Sequence, residues 1–218
     1  MNGFYLGGVI NCFVLSEKDG AAAVRLARDA IEGYLAGRGK TRPVGLPERF
    51  GEKLGVFVTL RRYPGKELRG CIGFPQPYAP LGSGLVDAAI LAATEDPRFP
   101  PVRAEEMGGL LVEVSVLTTP EEVKCGKAGD RVKEVRVGRD GLIVEYGGSS
   151  GLLLPQVPVE LGWSGEEFLC ETCMKAGLPP DWWLEPKTRL YRFQAQVFSE
   201  ELPGGGVKEE KLQACRPL

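Results

Sequence analysis

Residues 55–73, GVFVTLRRYPGKELRGCIG, decide the fold of this chain. GVFVTLRRY reads as a strand, PGKE as a turn and LRGCIGF (68–74) as a second strand, which together make a hairpin. A helix follows in LGSGLVDAAILAATED, with Leu81, Leu85, Ala88, Ala89 and Ala92 on one face. PRFPPVRAEEMGG is a proline-rich crossing with room for one short helical turn. LLVEVSVLT then alternates, placing Val112, Val114 and Val116 on one side and Glu113 and Ser115 on the other. Upstream, Ser16 and Asp19 form a capping signal for a helix over about 17–37, whose apolar stripe is Val24, Ala27, Ile31 and Leu35.

The second half is expected to repeat the plan. VKEVRVGRDGLIVEYGGSSGLLLPQVPVE suggests hairpin turns at Asp140-Gly141 and around Ser149 to Gly151. Ser164 and Glu167 cap a helix in SGEEFLCETCMKAG, LPPDWWLEPKTR is a second proline-rich crossing, and LYRFQAQVFSE reads as one long strand. GVFVTL (55–60) then corresponds to GLIVEY (141–146), and LRGCIG (68–73) to LLLPQV (152–157), at an offset of about 85 residues. These correspondences predict an α+β fold in one domain over 1–218. Internal repeats near 55–118 and 141–200 form two lobes of largely antiparallel sheet with a cleft between them. The stretch 203–218 reads as a mobile tail.

Composition narrows the function. The chain has 218 residues, a net charge of −2 and no basic stripe, which disfavours nucleic acid as a partner. No apolar run is long enough to span a bilayer, and the N-terminus lacks a basic signal-peptide region, so a cytoplasmic location is expected with no membrane contact. There is no histidine, which excludes Ser-His and Cys-His catalytic pairs and histidine metal ligands. Two asparagines against 30 glycines and 17 prolines hint at a thermophilic source. The six cysteines, Cys12, Cys71, Cys125, Cys170, Cys173 and Cys215, are too scattered for a secreted disulfide scaffold. The single CxxC, Cys170 to Cys173, falls inside a helix rather than at its N-terminus, and has no second pair with which to build a zinc site. Neither a metal nor a cofactor is expected.

LRGCIG, AATEDPRF, EVSVLTTPEE, GLIVEYGGSSGLLLPQV, FLCETCMKAGLPPDWW and YRFQAQVFSE together resemble the AMMECR-one family, from about Ser16 to Glu201. LRGCIG is that family's signature. The resemblance implies a two-lobed α+β fold with the signature facing the cleft between lobes. It also implies a pathway shared with Memo-like and radical-SAM proteins, because some prokaryotic relatives are joined to or encoded beside them. Relatives often carry KHGL before the strand of the second half, where this chain has GRDGL (138–142), so no histidine role carries over there.

Within the signature, strand geometry points Leu68, Gly70 and Ile72 one way. Arg69, Cys71 and Gly73 point the other, which sets Arg69 and Cys71 roughly 6–7 Å apart. Two readings of the pair stay open. In one, Arg69 favours a Cys71 thiolate acting as nucleophile or redox thiol. In the other, Cys71 packs as a small hydrophobe, Arg69 pairs with an acid, and the glycines admit close neighbours. Asp96 and Arg98 of DPRF read as a clamp across a turn or, with Glu113, Gln156 and Glu160, as acid-base candidates, and Gln156 also reads as a polar residue lining the cleft opposite Cys71. The expectation is a binding or adaptor module for a small molecule or protein partner, with a Cys71 enzyme as the alternative.

Overall fold

The structure, a computed structural model, describes residues 15–211. It opens with α1 (Glu17–Leu35), where the Ser16 hydroxyl accepts from the Asp19 amide. The hairpin β1 (Gly55–Arg62) and β2 (Leu68–Phe74), the helix α2 (Leu81–Thr94) and β3 (Leu110–Leu117) follow. Next come the two-residue β4 (Glu121–Glu122), one turn of helix α3 (Arg131–Glu134), and a second hairpin of β5 (Gly141–Tyr146) and β6 (Ser149–Leu153). The short α4 (Gln156–Glu160), α5 (Gly165–Lys175), β7 (Arg189–Phe193), β8 (Ala195–Glu200) and β9 (Val207–Glu210) complete the chain.

The strands form two antiparallel sheets. Sheet one has the order β2-β1-β3-β8-β9 and sheet two the order β4-β7-β5-β6. Within them the path β2-β1-β3 recurs as β6-β5-β7, each a hairpin, then helix, then a strand beside the first. Helices α1 and α2 cover one face of sheet one through Val24, Ala27, Ile31, Leu85 and Ala89, packed on Val58, Val112 and Val114. Helix α5 covers sheet two, with Phe168, Leu169 and Cys173 against Leu142 and Val144. A third cluster of Leu117, Ile143, Leu154 and Phe193, flanked by Phe57, Leu152 and Val157, joins the two sheets.

Four expectations are corrected. LYRFQAQVFSE is not one strand: β7 lies in sheet two and β8 in sheet one, with Gln194 between them. The Gln194 amide donates to the Thr118 hydroxyl and the Thr118 amide to the Gln194 carbonyl, both at 2.9 Å, latching the crossover. Alternation cannot report such a break, because the side-chain period continues across it. Asp140-Gly141 is not a hairpin turn; the buried Asp140 carboxylate pairs with Arg139 and accepts from the Arg136 amide, ordering the loop after α3. The hairpin turns at Gly147-Gly148, whose φ values of 56° and 88° suit a glycine pair, and Ser149 already belongs to β6. Finally, residues 207–210 of the expected mobile tail form β9 against β8, and only 212–218 of that tail lie outside the described residues.

One buried ion pair ties the first helix to sheet one. Arg28 of α1 reaches both carboxylate oxygens of Glu200 at 2.6 Å, and Glu200 also accepts from the Val112 amide.

A side chain at Gly70 would place its Cβ 2.2 Å from the Ala92 carbonyl oxygen, a backbone atom at the end of α2. Gly70→Ala should therefore destabilise by about 3 kcal/mol, the upper end of overpacking costs. Gly126→Ala, with nothing within 4 Å, should stay within about 0.5 kcal/mol of the parent in urea unfolding.

Candidate functional site

LRGCIG is the outer strand of sheet one, so half its backbone groups face away from β1 and need partners. DPRF supplies them. Asp96 Oδ2 accepts from the Cys71 amide at 2.8 Å, and Arg98 Nη2 donates to the Cys71 carbonyl at 3.4 Å. Arg98 also grips Asp96 through Nε and Nη2 at 2.9 and 2.7 Å. That guanidinium, helped by the Cys71 and Arg98 amides, holds the buried Asp96 carboxyl down to about 2. The Asp-Arg pair is the clamp across a turn, and its grip is on the signature strand.

Arg69 and Cys71 do not share a face. The register shifts between Leu60, paired with Gly70, and Arg61, paired with Leu68, leaving Arg69 as the extra residue of a β-bulge. Its guanidinium is buried and bonds both carboxylate oxygens of Glu106 at 3.0 and 3.1 Å, in the connection between α2 and β3. Sequence alternation misses the bulge because one extra residue inverts the face. Ile72 packs into the first core, half-buried Leu68 pairs with Arg61, and Gly73 lies where a Cβ would enter the Phe57 ring.

The Cys71 thiol is half-buried and accepts from the Thr59 hydroxyl at 3.3 Å. Burial pushes the thiol up, and this outweighs the opposing pull of the Thr59 bond and of Arg98, the nearby cation. The remaining cysteines among the described residues, Cys125, Cys170 and Cys173, are free, and burial pushes Cys173 up to about 11.

Cys71 sits in a row of side chains across four strands: it pairs with Thr59, Thr59 with Glu113, and Glu113 with Ser199. The row lies on the face of sheet one away from α1 and α2, the face that also carries Phe57 and Leu117 toward sheet two. Beside it a pocket of about 510 Å³ is lined by Arg61, Glu113, Gln156, Glu160, Ser199 and Glu210, among others. Arg61 bridges Glu113 and Glu160, each at 3.2 Å. Glu113 is 7% exposed, and burial drives its carboxyl up despite Arg61. Gln156 leaves the expected strand, since β6 ends at Leu153 and Gln156 opens α4; from there its Nε2 donates to Ser115 Oγ at 3.4 Å. Among the described residues, Glu113 Oε1 and Gln156 Oε1 are buried with no hydrogen-bond partner.

The structure thus brings Gln156 to Glu113 and Ser115, and joins Cys71 to them through Thr59. Arg69, Asp96 and Arg98 serve the outer edge of the sheet instead. Thr59, Arg61, Ser115 and Ser199 carried no mark as site residues in the sequence; the one signal was polar residues at alternate positions of strands that are otherwise apolar.

Two outcomes test this geometry. Alkylation of Cys71 by iodoacetamide should show no inflection at or below the pH where an ordinary thiol titrates, and Thr59→Val should not create one. Because folding lowers the Asp96 pKa, its stabilisation is present above about pH 4 and drains away as pH falls through about 2. Asp96→Asn should cost roughly 2 kcal/mol at neutral pH, with the deficit shrinking in acid, as read by urea unfolding across pH.

Residues 24–198 match the AMMECR1 family model. Protein MJ0810 of Methanocaldococcus jannaschii is 55% identical over 199 residues, covering 91% of this chain and 98% of that protein. A protein of Thermococcus gammatolerans is 57% identical over 202 residues, with the same two coverages. The solved structure titled "Crystal Structure of Uncharacterized Protein PH0010 From Pyrococcus horikoshii" superposes with a TM-score of 0.88 at 55% identity, covering 91% of this chain and 99% of that one. Among the described residues no helix is long and apolar enough to cross a membrane. The fold, its LRGCIG edge strand and these relatives lead to one assignment: the chain belongs to the AMMECR1 family.

Proposed function

We propose that this protein is a binding module whose pocket beside the signature strand takes a small polar ligand, or a partner's side chain, rich in N–H donors. The observation that carries the reading is the pair of unpartnered oxygens, Glu113 Oε1 and Gln156 Oε1, on two residues that line one pocket. A buried acceptor without a donor costs on the order of 1–3 kcal/mol, a cost that a donor-bearing ligand would remove. The surrounding groups fit an ammonium or amide. Glu113 and Glu160 supply acceptors that Arg61 holds in place, and Glu210, paired at 3.6–3.7 Å with Lys66 and Lys208, stands at the rim with Lys211. A Memo-like or radical-SAM protein, which the family resemblance brings in, is the partner class to which such a module would deliver or present its ligand.

The alternative of a Cys71 enzyme has less support. The thiol is pushed toward its protonated form, and Arg69 is committed to Glu106.

Methylammonium chloride carries donors and tetramethylammonium chloride carries none, so the pair tests the reading directly. Methylammonium should shift the amide resonances of Glu113 and Ser199, and tetramethylammonium should leave them unmoved. Gln156→Leu should abolish that response while raising the stability of the free protein by roughly 1 kcal/mol, because it removes an unsatisfied buried acceptor. Equal shifts with both salts, no shift with either, or a destabilised variant would count against the proposal.

A further inference from the structure

On the far side of the β5–β6 hairpin lies a second, more apolar groove of about 720 Å³. Its walls include Phe74, Pro75, Ile90, Leu91, Ile143 and Leu152, so it runs between the end of the signature strand, α2 and the free edge of sheet two.

The backbone of β6 decides what fits there. Gly147 and Gly148, with φ values of 56° and 88°, make a two-residue type I′ turn, and Tyr146 and Ser149 close it as a hydrogen-bonded pair. Hydrogen-bonded and non-bonded pairs alternate along an antiparallel ladder. Val144–Gly151 and Leu142–Leu153 are therefore bonded pairs, while Ser150 and Leu152 turn their N–H and C=O groups away from β5. Strand β6 ends the sheet, and among the described residues these groups have no hydrogen-bond partner. The side chains of the same two residues line the groove. Free strand-pairing groups thus run along an apolar trough, the arrangement that accepts an added strand.

Charge selects the occupant. Lys40 and Asp87 pair with each other, and Tyr78 donates to Asp87. Glu145, directly across from Ser150 on β5, is paired more loosely, its carboxylate 3.9 Å from Arg189, whose Nε is held by Glu122 at 3.3 Å. The complementary strand is apolar opposite Leu152 and basic opposite Ser150.

We propose that the β6 edge is a peptide-docking site that adds an antiparallel strand carrying an apolar residue and, two positions later, a basic one. The pairing is independent of the polar pocket around Glu113, which lies on other elements.

The test uses the acetylated and amidated peptide Thr-Ile-Thr-Arg-Thr, whose threonines favour an extended chain. With peptide in excess, the Ser150 and Leu152 amides should exchange with solvent at least about tenfold more slowly, while Gly151 and Leu153, already bonded to β5, stay unchanged. N-methylation of the isoleucine and arginine amides removes two strand hydrogen bonds and should weaken binding roughly tenfold. Replacing the arginine by glutamate should weaken it as well. Unchanged exchange at Ser150 and Leu152, equal binding of the N-methylated peptide, or equal binding of the glutamate peptide would overturn the proposal. So would a free protein that is already dimeric with both amides protected, since the edge would then belong to a second copy of the chain.

Discussion

The centre of sheet one is buried on both faces, and most of the molecule follows from that constraint. All eight residues of β3 are buried, including Glu113 and Ser115. The helices α1 and α2 account for one face; the other needs an apolar cover, and Ile143, Phe193 and the adjoining Leu154 of the second sheet's side close over Leu117 of β3. An antiparallel sheet ordinarily has one face free to meet water. Here the chain crosses twice between the sheets, after β3 and again between β7 and β8. The Thr118–Gln194 bonds fasten the two crossings side by side. Burying the second face therefore also buries whatever polar side chains the alternation places on it.

The signature strand meets several structural demands at once. Gly70 lets the end of α2 approach, Gly73 makes room for Phe57, and the backbone of Cys71 offers both its N–H and C=O to the Asp96–Arg98 clamp. Arg69 leaves the ladder through a bulge to anchor the connection at Glu106. An outer strand with unpaired groups invites association with other chains. This one is closed by side chains at Cys71, whereas among the described residues β6 has no such clamp. The two edges of comparable hairpins are thus treated differently, and the difference lies in side chains outside both strands.

The polar pocket shows the opposite economy. Among the described residues Glu113 and Gln156 each keep a buried oxygen without a donor. Arg131 Nε and Thr188 Oγ1 also lack partners, whereas the Arg28–Glu200 pair and the capping box of Ser164 and Glu167 are satisfied. Unsatisfied buried groups are retained where something other than stability is served. The thiol of Cys71, two strands outward from Glu113, belongs to the same row, yet burial pushes its pKa up.

The sequence by itself determined the local elements. Apolar periodicity marked α1 and α2, capping residues marked the starts of α1 and α5, and the Pro-Gly break between GVFVTLRRY and LRGCIGF marked the first hairpin. These are legible because their causes lie within a few residues along the chain. Tertiary structure alone decided which sheet each strand joins, that LYRFQAQVFSE divides at Gln194, that a bulge turns Arg69 away from Cys71, and that Gln156 begins a helix rather than continuing a strand. The same holds for the polar row from Cys71 to Ser199, whose members meet only through strand pairing. A period of two says that residues share a face; whether that face meets water, a helix or a second sheet depends on partners far away in the chain.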